Sequence, residues 1–379
     1  MSRNKVQGYD AGRLALMLDA RRLQKVQLAH MLGVSPATVT KWASGAQMPP
    51  LEELARILNV AAEWFTRPML EPLTSPLFRS MVATHKAAYD LLKARLELAQ
   101  HIAFVFSEFV DYPSENLPIR RFSTLDSITD EDIENAAAEC RNLWRLGRLA
   151  IQDLTLAAEG AGIIVIREET GISTVDGLSA RSSVLRRPMV LLSADKENGY
   201  RSRFDLAHEI GHIVLHWNIE DKTTITHKHH KQMEQQAHRF AGALLLPQES
   251  FVSELTANRP TLDDLLPIKN RWGTSVRAII MRLKNIKLLS DDDATALFKR
   301  ISVRWGAKGE PGDKDRNPER PRLLRRTVDL LAEQNIMPLD AISQCTGLSD
   351  VDVEALAGLP SGYLSNGGNI IPFVRLREG

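Results

Sequence analysis

RFDLAHEIGH, residues 203 to 212, is the stretch on which the reading of this chain turns. His208 and His212 stand four apart, so a helix places both imidazoles on one face, one turn from each other. That spacing suits two nitrogens converging on a single Zn²⁺ at about 2.0–2.1 Å. Glu209 follows the first histidine, beside the metal without binding it. There its carboxylate can take a proton from water, whose pKa zinc lowers to about 7. Ser202 and Asp205 have the S-x-x-D spacing of a capping box, which predicts a helix start just upstream.

Catalytic zinc holds three protein ligands, so a third is required. His216 continues the i, i+4 spacing but lies about 12 Å along the axis from His208, too far for one tetrahedral centre. It is read as a packing or substrate-side residue. Glu234 and His238 share a face of the next predicted helix, within MEQQAHRFA at 233–241, and either can reach back. Glu234 is preferred because it completes a His₂Glu set, leaving His238 as a supporting hydrogen-bond partner or proton donor. The plainer reading of both is a solvated polar face. His227, His229 and His230 read as a solvated loop cluster.

Outward from this motif, Ile163–Arg167 and Met189–Ser193 have the apolar, β-branched look of buried strands. Helices are predicted near Gln232–Leu246 and Val276–Leu283, over Leu149–Ala158, and from a cap at Asp130. A long amphipathic helix is expected from Phe78 to about Phe109. Residues 305–322, rich in glycine, proline and charge, read as a linker or irregular wrap. Leu323–Leu359 reads as helical, and no internal repeat is legible. The expected fold is α+β and mostly α-helical: a helix-turn-helix bundle, a zincin-like domain with a small sheet, and a C-terminal helical segment. The corresponding boundaries are 1–70, a connector at 71–130, a metallopeptidase domain at 131–290, and a linker and helical region at 291–379.

QLAHMLGVSPATVTKWASGAQMP, residues 27–49, has the pattern of a helix-turn-helix with Gly33 at the turn and Ser35 capping the second helix. Pro36 and Ala37 cannot make the bidentate hydrogen bonds that read base edges. Ser35, Thr38, Thr40, Lys41 and Lys25 are the expected DNA contacts, with Arg13, Arg21 and Arg22 adding positive charge. The competing role for this module is protein docking or dimerisation. Leu339–Leu356 has a similar rhythm around Gly347, but Asp350, Asp352 and Glu354 would meet phosphates there. That segment reads as packing or partner contact.

Net charge is only +1 across 379 residues, so DNA binding needs a local basic face rather than a global field. Hydrophobic residues at 44% and charged residues at 25% match an ordinary soluble protein. Cys140 and Cys345 form no CxxC pair, which points to free thiols in a reducing compartment. No signal-like N-terminus and no long apolar run are present, so a cytoplasmic protein with no membrane contact is expected.

RFDLAHEIGHIVLH at 203–216 and EQQAHRFAGALLLP at 234–247 resemble the ImmA/IrrE family of zinc metallopeptidases. WGTSVRAIIMRLKNIKLLS at 272–290 is similar to the helix that follows the site in that family. FRS at 78–80, ENLP at 115–118 and Ile133–Ile166 resemble its long-form members, which carry an N-terminal XRE-type domain. The resemblance implies His208, His212 and Glu234 as zinc ligands and Glu209 as general base. It departs at His238, where members usually have Asn or Asp. It also implies a protein substrate, a helix-turn-helix repressor or antitoxin, with DNA bound by the N-terminal domain. A homodimer is compatible with such a module. The alternative is a transcriptional regulator whose zinc is structural or sensory, without peptidase activity. In a third reading, residues 323–379 dock a partner.

Overall fold

The computed structural model describes residues 8–75, 86–118, 120–172, 174–221, 225–255, 259–306 and 309–365. The segments at 78–80 and 366–379 named above, and the expected helix start at Phe78, lie outside them. The described part is mostly helical with one three-stranded sheet, the α+β class expected. None of its helices is long and apolar enough to cross a membrane. It forms two compact units, one drawn from Met1–Glu71, Lys93–Asp111 and Arg322–Gly379, the other from Pro72–Leu92 and Tyr112–Pro321.

In the first unit, helices Ala11–Ala20, Lys25–Met31, Pro36–Ala43 and Leu51–Leu58 follow one another, the second and third forming the predicted helix-turn-helix. Ser35 caps the third, its hydroxyl accepting from the Thr38 amide at 3.1 Å, and Pro36 takes the first helical position. Leu14, Met17, Leu28, Val39 and Trp42 are all buried.

Helices Leu323–Glu333, Leu339–Thr346 and Asp350–Ala357 repeat this plan. At one constant spacing, N-cap Gln24 matches Pro338 and N-cap Ser35 matches Ser349. Gly33 matches Gly347, both left-handed, and buried Val39 and Trp42 match buried Val353 and Leu356. The expectation of no internal repeat is therefore corrected. Few identities survive between the two copies, and what is kept is the order of caps, turn and core positions.

The acidic residues of the second copy are engaged within the protein. Asp352 is buried and accepts from Arg21 at 2.8 Å and Arg95 at 2.6 Å, while Glu354 accepts from the amides of Gly362 and Leu364, each at 2.9 Å. They satisfy buried groups rather than facing a phosphate. The described residues from Arg322 to Ser365 thus cluster with the helix-turn-helix instead of forming a separate region with 291–321. The connector at 71–130 is likewise divided, because helix Lys86–Phe106 contributes to both units.

In the second unit the strand order is β1-β3-β2, with β1 Ile164–Glu168, β2 Gly177–Ser182 and β3 Arg187–Ser193. β1 runs parallel to β3, pairing Ile164 with Met189, and β2 runs antiparallel, pairing Leu178 with Leu191. Val165, Val190 and Leu192 share a core with Leu206, Ile210, Val214, Phe240 and Leu244 from two helices, Gly199–His216 and His230–Leu245. Strand β2 was not predicted. Its sequence GLSARS has no apolar run; pairing to β3, with a bridge from Arg181 to Thr74, holds it extended.

Several helix ends differ from expectation. The motif helix starts at Gly199, capped by Asn198, whose side-chain oxygen accepts from the Arg201 amide at 3.1 Å. Ser202 lies inside the helix, and Asp205 faces Arg201, so the predicted capping box is not formed. Thr129 rather than Asp130 caps the helix Asp130–Leu143. Leu149–Asp153 is not helical; Asp153 caps Leu154–Gly160. The stretch after 305 is an irregular wrap pinned by acids: Glu310 accepts from the Val276 amide at 2.7 Å, and Glu319 from Arg203 at 2.8 Å.

Candidate metal centre

Gly211 brings the two site helices together. A Cβ built there would lie 3.1 Å from the Phe240 ring and 3.2 Å from the Ala237 backbone, so the bare glycine lets the helices come this close without displacing either neighbour. The close crossing carries Glu234 from one helix to the histidines of the other. His208 Nε2 lies 3.0 Å from His212 Nε2. The Glu234 carboxylate stands 3.2 Å from His208 Nε2 and 3.4 Å from His212 Nε2. Among the described residues, these three form a group whose donor atoms all lie within 4.8 Å of one another.

These separations fit a metal. A tetrahedron with ligand distances of about 2.0–2.1 Å has edges of about 3.3 Å. The donor set, two imidazoles and a carboxylate, suits zinc. His208 Nδ1 and Glu209 Oε2 are buried without a hydrogen-bond partner among the described residues, so the centre holds polar atoms that the surrounding protein does not satisfy.

Burial alone would raise the Glu234 pKa, but hydrogen bonding to His208 and His212 holds its carboxyl far below the usual range. Burial opposes charge on His208, yet Glu234 and Glu209 raise its pKa overall. Asp205, three residues before His208, is pushed up to about 7 by burial and by Asp176.

Glu209 itself is buried beside β2. A Cβ on Gly177 would lie 3.1 Å from its Oε1, so the bare glycine leaves room for the carboxylate. Tyr89 joins Glu209, His208, His212, Glu234 and His238 around a cavity of about 210 Å³. A larger cavity of about 1000 Å³ shares Phe204, Asp205, Glu234 and His238 and extends past Arg239 to Met281 and Lys284. Tyr89 and Gly177 were not found from the sequence. Neither lies in the motif, and only the tertiary fold brings them to it.

His238 stands edge-on to His208, ring centroids 4.4 Å apart, and donates from Nδ1 to the Glu234 carbonyl at 2.7 Å. His216 is fully buried behind His212, which removes it from the substrate side. His230 Nδ1 is 4.0 Å from Glu234, nearer the site than a solvated loop cluster implies, while His229 accepts from the Thr226 amide.

In the helix-turn-helix, Lys25, Ser35, Thr40 and Lys41 are exposed and Thr38 is half-buried. The hydroxyl of Ser35 is 2.9 Å from that of Thr38, and Thr40 donates to the Pro36 carbonyl. Two of the expected basic residues are otherwise engaged. Arg21 is held by Asp352, and Arg13 is buried over the Trp64 ring, donating to the Pro68 carbonyl at 2.6 Å. They are corrected to structural residues.

Comparison with protein families matches residues 158–284 to the IrrE N-terminal-like domain, a peptidase family, and residues 14–61 to a helix-turn-helix family. No curated protein matches the chain.

Proposed function

We propose, for a chain that joins an IrrE N-terminal-like peptidase domain to a helix-turn-helix domain in the manner of ImmA/IrrE-type proteins, that it is a zinc-dependent endopeptidase. His208, His212 and Glu234 would hold Zn²⁺. When bound, zinc supplies Lewis acidity toward a peptide carbonyl and acidifies water. Glu209 takes the water proton and passes it to the leaving amine. The cavity of about 1000 Å³ beside Glu234 has room for several residues of a peptide chain. The substrate class is a helix-turn-helix repressor or antitoxin, and Lys25, Ser35, Thr38, Thr40 and Lys41 bring the protein to DNA.

The observation that carries this reading is the Glu209 carboxylate, buried next to the ligand group with one oxygen unpartnered. A structural or sensory metal site has no need of that costly group. Glu209→Gln is expected to retain zinc and to lose about 10²–10⁴-fold in cleavage of repressors encoded beside this chain. Equal cleavage by the variant and the parent would remove the peptidase assignment.

A further inference from the structure

Behind the metal-facing edge of His212, a line of polar atoms runs into the core. His212 Nδ1 lies 2.9 Å from His216 Nδ1, and His216 Nε2 lies 3.0 Å from Gln236 Oε1. Gln236 Nε2 approaches the Leu125 carbonyl at 3.4 Å. His216 has no exposed surface, so its protons are shared within the protein.

The direction of each bond follows from the far end. The Leu125 carbonyl has only lone pairs, so the Gln236 amide nitrogen faces it and the Gln236 oxygen faces His216. An oxygen there requires a proton on His216 Nε2. A charged imidazolium at this depth, with no carboxylate hydrogen-bonded to it among the described residues, is disfavoured, so the ring is neutral and its Nδ1 carries a lone pair. That lone pair takes the proton on His212 Nδ1. His212 is left with its own lone pair on Nε2, the atom that faces His208 and Glu234. The opposite order would set the His216 Nε2 lone pair against the Gln236 oxygen.

We propose that His216 and Gln236 are positioning residues that fix His212 in the one tautomer able to bind a metal through Nε2. This rests on the metal-site reading above. The helix His230–Leu245 then supplies both a ligand, Glu234, and the anchor for a ligand on the facing helix. His208 has no such anchor among the described residues, its Nδ1 being buried and unpartnered. His212 is therefore the preset ligand of the pair.

The test begins with the metal-free full-length protein carrying ¹⁵N-labelled histidine. Long-range proton–nitrogen correlation spectra are expected to place the proton on Nδ1 of His212 and on Nε2 of His216. The reverse assignment overturns the proposal. Zinc affinity, by competition with a chromophoric chelator, is expected to fall about 10–100-fold in Gln236→Met, with mixed His212 tautomers. Unchanged tautomers and affinity in Gln236→Met would also overturn it. If the parent binds no zinc while its tautomers are as stated, the metal centre fails and the proton order stands.

Discussion

Gly177 on the edge strand β2 faces Glu209 so closely that an added methyl would lie 3.1 Å from the carboxylate oxygen. Strand and motif helix thus define the position of the base together. Gly177→Ala is expected to shift Glu209 by a few tenths of an ångström and to lower kcat by about 10-fold, up to about 100-fold. Zinc content should be unchanged, because no ligand moves. Metal analysis beside a cleavage assay separates the two effects, and lost zinc would contradict the assignment.

Glu234 supplies the only carboxylate in the ligand group. Glu234→Ala is expected to abolish stoichiometric zinc binding, measured by metal analysis after dialysis. Chelation of the parent should lower its thermal midpoint, and added zinc should restore it, because an ion bound to the folded state stabilises that state. The variant should show no such response.

Asp352 is buried between Arg21 and Arg95. Asp352→Ala removes the buried carboxylate that Arg21 and Arg95 share, at a cost of about 3 kcal/mol. Denaturant titration should show an earlier transition for the unit that holds the helix-turn-helix. A midpoint equal to that of the parent would mean that the ion pair contributes nothing to that unit.

His101 is buried in the same unit, donating from Nε2 to the Thr346 carbonyl at 2.8 Å and facing Arg13 at Nδ1. Burial, reinforced by Arg13, pushes its pKa from 6.5 down to about 3. The unfolded chain therefore binds the proton first as pH falls. The stability is complete above pH 6.5 and is lost progressively between pH 6.5 and about 3. Thermal midpoints at pH 7 and pH 5 should differ in that direction, and His101→Gln should flatten the slope.

Lys25 and Lys41 are exposed on the helix-turn-helix. If they contact phosphates, Lys41→Ala and Lys25→Ala should each weaken DNA binding on all sequences and reduce the salt slope by about 1. Titrations at several salt concentrations measure this directly. An unchanged slope would favour a protein-docking role for the module.

Local periodicity made much of this architecture readable. The caps and turn of the helix-turn-helix, the runs that became β1 and β3, and the face shared by His208 and His212 all depend on residues a few positions apart. Strand β2 was not readable, because Gly177–Ser182 is held extended by long-range pairing, to β3 and, at Arg181, to Thr74. The second copy of the three-helix plan was legible only as a rhythm around Gly347, not as a repeat. Its acidic residues argued against a phosphate-facing copy, and Arg21, Arg95 and nearby backbone amides make their burial tolerable.

The chain by itself determined that two imidazoles and a neighbouring carboxylate would occupy one helix, because a helical turn fixes that geometry wherever the helix sits. Only the folded structure decided which distant groups meet them. Glu234, Gly177, Tyr89 and Gln236 arrive from other elements, brought in by close helix crossing at Gly211 and by strand pairing. Such packing depends on side-chain shape across long sequence separations, which no local spacing records.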